Sequence, residues 1–193
     1  AKVEGKGRTE DDLAFLRIEK DYINCLMVEQ PNGDFGKTIT RQFFYDVYHK
    51  LLLEALVDSK DEQLSAIAEK SLKEVKYHLR HSSEWMIRLG DGTEESHERM
   101  QNAVDDISRF IDELFYKDEV DEILIESGIV PDNADLRPAY DSYVAEVLKE
   151  ATLQLPEKMW QLSGGRKGVH SEHLGYLLAE LQYMQRTYPN MEW

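Results

Sequence analysis

The chain has 193 residues, of which 23 are Lys or Arg and 38 are Asp or Glu, for a formal charge of −15. That length is one domain with room for a hydrophobic core, and that charge repels phosphate backbones and anionic lipid, which argues against nucleic-acid and membrane partners. A single cysteine, Cys25, forms no internal disulfide and suits a reducing, cytoplasmic setting. Cys25 lies in the run Ile23-Asn24-Cys25-Leu26-Met27-Val28 and reads as a packed small hydrophobe. No apolar run reaches the roughly 18 residues of a membrane span. The opening Ala1-Lys2-Val3-Glu4-Gly5-Lys6-Gly7 lacks the apolar segment of a signal peptide.

Nearly every segment predicts helix. Thr9 and Asp12 form a capping-box pattern, and apolar residues recur at helical spacing through Leu13, Leu16, Tyr22, Ile23 and Leu26 until Pro31-Asn32-Gly33 stops them. A second helix is expected from about Asp34 to Val57, with an aromatic load at Phe43, Phe44, Tyr45 and Tyr48 that suggests burial on more than one side. After Asp58-Ser59-Lys60-Asp61 a long helix runs to about Leu89, with Val75, Leu79 and Met86 among its apolar positions. Gly90-Asp91-Gly92-Thr93 closes it and opens a helix over roughly 94–116. The stretch from Lys117 to Pro138 reads as acidic and irregular, broken by Gly128 and Pro131. A helix over about Ala139–Leu153 and a last one over His170–Tyr188 complete the chain. Short connections between long helices predict antiparallel neighbours. The fold class is all-α, read as a single domain over 1–193.

Three stretches carry a family resemblance: Gly164-Gly165-Arg166-Lys167-Gly168-Val169-His170-Ser171-Glu172-His173-Leu174-Gly175-Tyr176, running on to Gln182–Pro189; Met86–His97; and Val28–Phe35. With them the chain resembles the C-subunit family of ring-1,2-phenylacetyl-CoA epoxidases, multicomponent bacterial monooxygenases of phenylacetate breakdown. The likeness covers essentially the whole chain, loops included. It implies a ferritin-like helical bundle with additional C-terminal helices, and a non-catalytic subunit that binds and stabilises a catalytic A subunit. It also implies that the di-iron centre belongs to that partner, with NADPH and flavin or iron–sulfur in a separate reductase and no cofactor in this chain. Other epoxidase subunits and a second copy of the chain are further expected partners. Because the likeness starts abruptly at Ala1, the chain is expected to lack an N-terminal segment that includes a long helix.

A di-iron bundle needs a Glu from each of two helices and Glu-x-x-His from each of the other two, since i and i+3 share a helical face. Asp46-Val47-Tyr48-His49 has the spacing with Asp in place of Glu. Glu74 is followed by Tyr77 at i+3 and His78 at i+4, and Lys73 and Lys76 bracket it as possible replacements for metal charge. Asp105 is followed at i+3 by Ser108, where a histidine is wanted. The expectation is a buried polar network of Asp46, His49, Lys73, Glu74, His78 and Asp105, a relic of a metal site. Lys73 or Lys76 should point inward to balance the acids. The alternatives are unconnected rim residues, or genuine iron in a self-sufficient di-iron oxidase or oxygenase.

Glu94-x-x-His97 matches the metal spacing at a helix start and is read as capping. The turn Gly164–Gly168 lacks the strand and spacing of a Walker loop. It reads as a tight interhelical turn whose Arg166 pairs with acidic neighbours or with a partner subunit. Arg166 and Lys167, with His170 and His173, are candidates for contact with a partner or with CoA phosphates, and His170-x-x-His173 is alternatively packing or a metal pair. An unrelated helical interaction module is the third functional reading.

Overall fold

The computed structural model describes residues 1–189 and Met191. Eight α-helices and no strand occur among them. They are α1 (Glu10–Ala14), α2 (Phe35–Leu56), α3 (Glu62–Gly90), α4 (Glu94–Ile107), α5 (Glu119–Ser127), α6 (Asn133–Glu150), α7 (Glu172–Leu181) and α8 (Tyr183–Thr187). The chain divides into two compact units: Asn32–Leu162, and the two ends Ala1–Pro31 with Ser163–Trp193.

In the Asn32–Leu162 unit, α2 packs along α3 and also meets α4 and α6, an all-α arrangement consistent with a ferritin-like bundle. Each helix start is fixed by a side chain that takes an orphan N–H. Asp34 accepts from the Lys37 N–H, Asp61 from Gln63 and Leu64, and Thr93 from Ser96. The shared core is Phe43, Phe44 and Val47 from α2, Val75, Leu79 and Met86 from α3, Met100, Val104 and Ile107 from α4, and Tyr140 and Val144 from α6, all buried. Gly90 lets the end of α3 meet the end of α6. A Cβ there would collide with the Ala151 carbonyl oxygen and approach the Ala151 Cβ to 2.9 Å.

Several boundaries differ from expectation. The helix expected over 94–116 is α-helical only to Ile107 and continues as two 3₁₀ turns, Ser108–Phe110 and Asp112–Phe115. The stretch expected to be irregular contains α5, capped by Asp118 and closed by Gly128 at φ 75°. α6 begins six residues before Ala139, because Asp132 caps it by accepting from the Ala134 N–H, and Pro138 is carried inside the helix.

In the unit of the chain ends, the helix expected from Thr9 to Leu26 stops after five residues. The Arg17 guanidinium takes the Leu13 carbonyl and the Tyr22 hydroxyl donates to the Ala14 carbonyl at 2.7 Å, so side chains replace the next helical turn. Two 3₁₀ turns follow, Glu19–Asp21 and Leu26–Glu29. The last helix starts at Glu172 rather than His170 and is interrupted at Gln182.

Candidate functional site

Asp46 is the best-buried carboxylate on α2, with 1% of its surface exposed. Gln42, one turn earlier on the same face, donates its side-chain amide to Oδ1 at 2.6 Å. From α3 the Ser82 hydroxyl reaches Oδ2 at 2.8 Å, with the Leu79 carbonyl as its other neighbour at 3.2 Å. Burial pushes the Asp46 carboxyl above its ordinary range, opposed by the Ser82 and Gln42 hydrogen bonds and by His78 and His49. His49, one turn beyond Asp46, is pushed below its ordinary value by burial, against the pull of the Asp46 charge. Its ring packs 5.4 Å from that of Tyr45. Asp46 thus sits within the field of both His49 and the exposed His78.

The other expected members lie elsewhere. Glu74 does not enter the interior: its side chain is 75% exposed and its ion-pair partner is His78 at 3.7 Å. Lys73 is exposed, and Lys76 lies 3.7 Å from Glu54, which also pairs with Lys50 at 2.8 Å. Neither lysine turns inward. The reason is helical phase: Val75, Leu79, Ser82 and Met86 form the buried face of α3, and positions 73, 74 and 76 stand off it. Asp105 is half-buried and accepts from Gln101 at 2.9 Å, whose amide is bound to both the carbonyl and the N–H of Gln154. Ser108, where the metal pattern wants histidine, is fully buried, with its hydroxyl 2.9 Å from the Met159 sulfur.

This donor set does not fit two irons. Both Asp46 oxygens already accept hydrogen bonds, Asp105 accepts from Gln101, and Glu74, although 3.7 Å from His78, stands in solvent with its side chain 75% exposed. Among the described residues, no three His, Cys, Asp or Glu side chains gather as a metal ion would need. At Glu94-x-x-His97, His97 closes a helix end: its Nδ1 is 2.8 Å from the Gly90 carbonyl oxygen, the last residue of α3.

A second buried polar cluster lies in the unit of the chain ends. Glu29 and His170 have side chains 1% and 0% exposed, with Nδ1 and Oε1 2.6 Å apart. The other ring nitrogen of His170 is 2.8 Å from the Tyr22 carbonyl oxygen. Asn24 donates to Glu29 Oε1 at 2.8 Å, and the Ser171 N–H and hydroxyl both donate to Oε2 at 2.8 Å. Glu29 thus supplies an anion ahead of α7, and His170 is held through both ring nitrogens by Glu29 and the Tyr22 carbonyl, so it makes no metal pair with His173. Arg166 and Lys167 sit in a 3₁₀ turn, Gly165–Lys167, with Gly168 at φ 73°. Gly165 packs so tightly on the Asn24 carbonyl that a Cβ has no room.

A family model described as phenylacetic acid catabolic protein matches residues 1–193. The chain belongs to that family. It is 48% identical over all 193 residues to the C subunit of the 1,2-phenylacetyl-CoA epoxidase of Escherichia coli (strain K12), and it covers 77% of that protein. The features of this phenylacetic acid catabolic family member that sequence reading missed are Gln42, Ser82 and Glu29. Gln42-x-x-x-Asp46 and His78-x-x-x-Ser82 are pairs one helical turn apart and could have been found from the 3.6-residue period. Glu29 and His170 are 141 positions apart, and no local pattern joins them.

Proposed function

We propose that this chain is the non-catalytic structural subunit of a phenylacetyl-CoA epoxidase, binding and stabilising a separate catalytic subunit in the cytoplasm. The observation that carries the reading is the carboxylate of Asp46, whose two oxygens are bound by Gln42 and Ser82 instead of facing an opposed Glu-x-x-His set. The 48% identity to the C subunit of such an epoxidase supports the same assignment. In this reading the di-iron centre belongs to the catalytic partner, and NADPH with flavin or iron–sulfur to a separate reductase. This chain contributes a folded helical surface. Lys167, exposed, and Arg166 beside it remain contact candidates on the turn before α7.

The test is reconstitution. Purified alone and supplied with ferrous iron, the chain should hold no stoichiometric iron and should not consume oxygen with phenylacetyl-CoA. Co-expressed with the catalytic subunit, it should co-purify in fixed ratio and raise that subunit's soluble yield and activity. About two irons per isolated chain with oxygen-dependent turnover would overturn the proposal in favour of a self-sufficient oxygenase. So would failure to bind the catalytic subunit.

A further inference from the structure

The chain carries 38 acidic residues against 23 basic ones, yet the stretch from Lys70 to Arg88 on α3 holds five basic and two acidic residues. Lys70, Lys73, Tyr77, Arg80, Glu84 and Arg88 follow one another at steps of three and four, so they share the outer face of that helix. All six are exposed. Among the described residues, Lys70, Lys73 and Arg88 have no carboxylate within ion-pair distance. In so acidic a chain, three cations without carboxylate partners on one helical face are a local reversal of the surface field. The face is also partly preformed. The Arg80 guanidinium sits 5.3 Å from the centre of the Tyr77 ring, and that of Arg88 5.4 Å from Trp85, so two long side chains are steadied by aromatic neighbours. At its N-terminal end, Lys70, Lys73 and Lys76, with one acid, Glu69, line a concavity of about 480 Å³ together with Val57 and Leu72.

We infer that this face of α3 is the docking surface for a carboxylate-rich face of the catalytic partner subunit. The inference rests on the structural-subunit reading and names where that subunit is held. The stripe from Lys70 to Arg88 is roughly 27 Å long at 1.5 Å per residue, the scale of a protein interface and longer than a single small anion. Glu74 and Glu84 punctuate it and oppose a continuous phosphate backbone. A protein surface places separate carboxylates between apolar spots, and exposed Tyr77 and Ile67, 59% and 52% exposed, provide matching apolar contacts. Unpaired cations here also oppose the repulsion that a −15 chain would meet from an acidic partner.

The experiment uses the purified complex with the catalytic subunit and a carbodiimide, which joins a lysine amine directly to a touching carboxylate. Peptide mass spectrometry should find Lys70 or Lys73 joined to Asp or Glu of the catalytic subunit. The triple reversal Lys70→Glu, Lys73→Glu, Arg88→Glu should weaken the complex at low salt by about 30-fold or more, with the loss shrinking as salt approaches 1 M. A neutral triple variant, with Gln at each position, should show a smaller loss of the same sign and guards against misfolding of the reversed chain. Wild-type affinity in both variants overturns the inference and leaves the structural-subunit reading intact. Cross-links from these lysines only to a second copy of this chain overturn it too. Failure of the wild-type chain to bind the catalytic subunit overturns both.

Discussion

At the scale of single residues, Asp46 and Glu74 show how much depends on which side of a helix a carboxylate occupies. Both lie on long helices that pack together, and sequence alone placed both in one polar network. Asp46 is enclosed and accepts two hydrogen bonds; Glu74 stands in solvent. Glu74→Ala should therefore change stability by no more than about 0.5 kcal/mol, as for other surface substitutions, measurable by urea denaturation. Asp46 behaves differently because burial raises its folded pKa above the unfolded value. Its neutral form is the one the fold prefers, so that contribution is fully present below the ordinary carboxylate pKa and is lost as pH rises through the folded one. His49, depressed by burial, has the opposite sense: its contribution is present above the ordinary histidine value and lost as pH falls through the folded one. Asp46→Asn keeps a neutral acceptor for Ser82 or Gln42. It should flatten the fall in stability above pH 4 and leave stability at pH 7 within about 1 kcal/mol of wild type. A loss above about 2 kcal/mol at pH 7 would show that the ionised carboxylate is needed in the fold.

Among elements, α2, α3 and the start of α4 were legible because their signals are local and agree with one another. Asp34, Asp61 and Thr93 cap them, the apolar positions keep one phase, and Gly90-Asp91-Gly92 ends α3. The misread elements are those decided by contacts distant in sequence or by competing local chemistry. α5 carries the Asp118 cap and the Gly128 stop, but its acidic residues mask the helical spacing of its apolar ones. The stretch after Ala14 has helical apolar spacing, yet the Arg17 and Tyr22 side chains satisfy the carbonyls that a longer helix would use. Gly90 was legible as a stop and illegible as a packing contact, because Ala151 lies on a different helix end. Gly90→Ala should cost about 1–3 kcal/mol through overpacking, read as a lowered denaturation midpoint with an unchanged slope. An unchanged midpoint would mean that the α3 and α6 ends separate at no cost.

Across the whole molecule, the family resemblance was legible in the turns, and the turn Gly164–His173 shows why. Its glycines and His170 are held by a structural lock, since Gly165 lies against Asn24 and His170 is bound to Glu29 and Tyr22. The lock joins the two chain ends, Ala1–Pro31 and Ser163–Trp193, into one compact unit, and the Asn32–Leu162 unit has its own buried core. Removing one member of a buried hydrogen-bonded cluster leaves the others unsatisfied, at a cost of about 1–3 kcal/mol for each stranded group. Glu29→Ala leaves His170, Ser171 and Asn24 without their shared acceptor, so its effect should fall on both chain ends together. Hydrogen exchange followed by mass spectrometry should show amides in 10–31 and 165–188 losing protection in parallel. The amides of α2, α3, α4 and α6 should retain theirs, because their hydrogen bonds and core lie within 32–162. Protection lost at one chain end alone would show that Glu29 does not join them; loss spread evenly over all residues would show that the two units unfold as one.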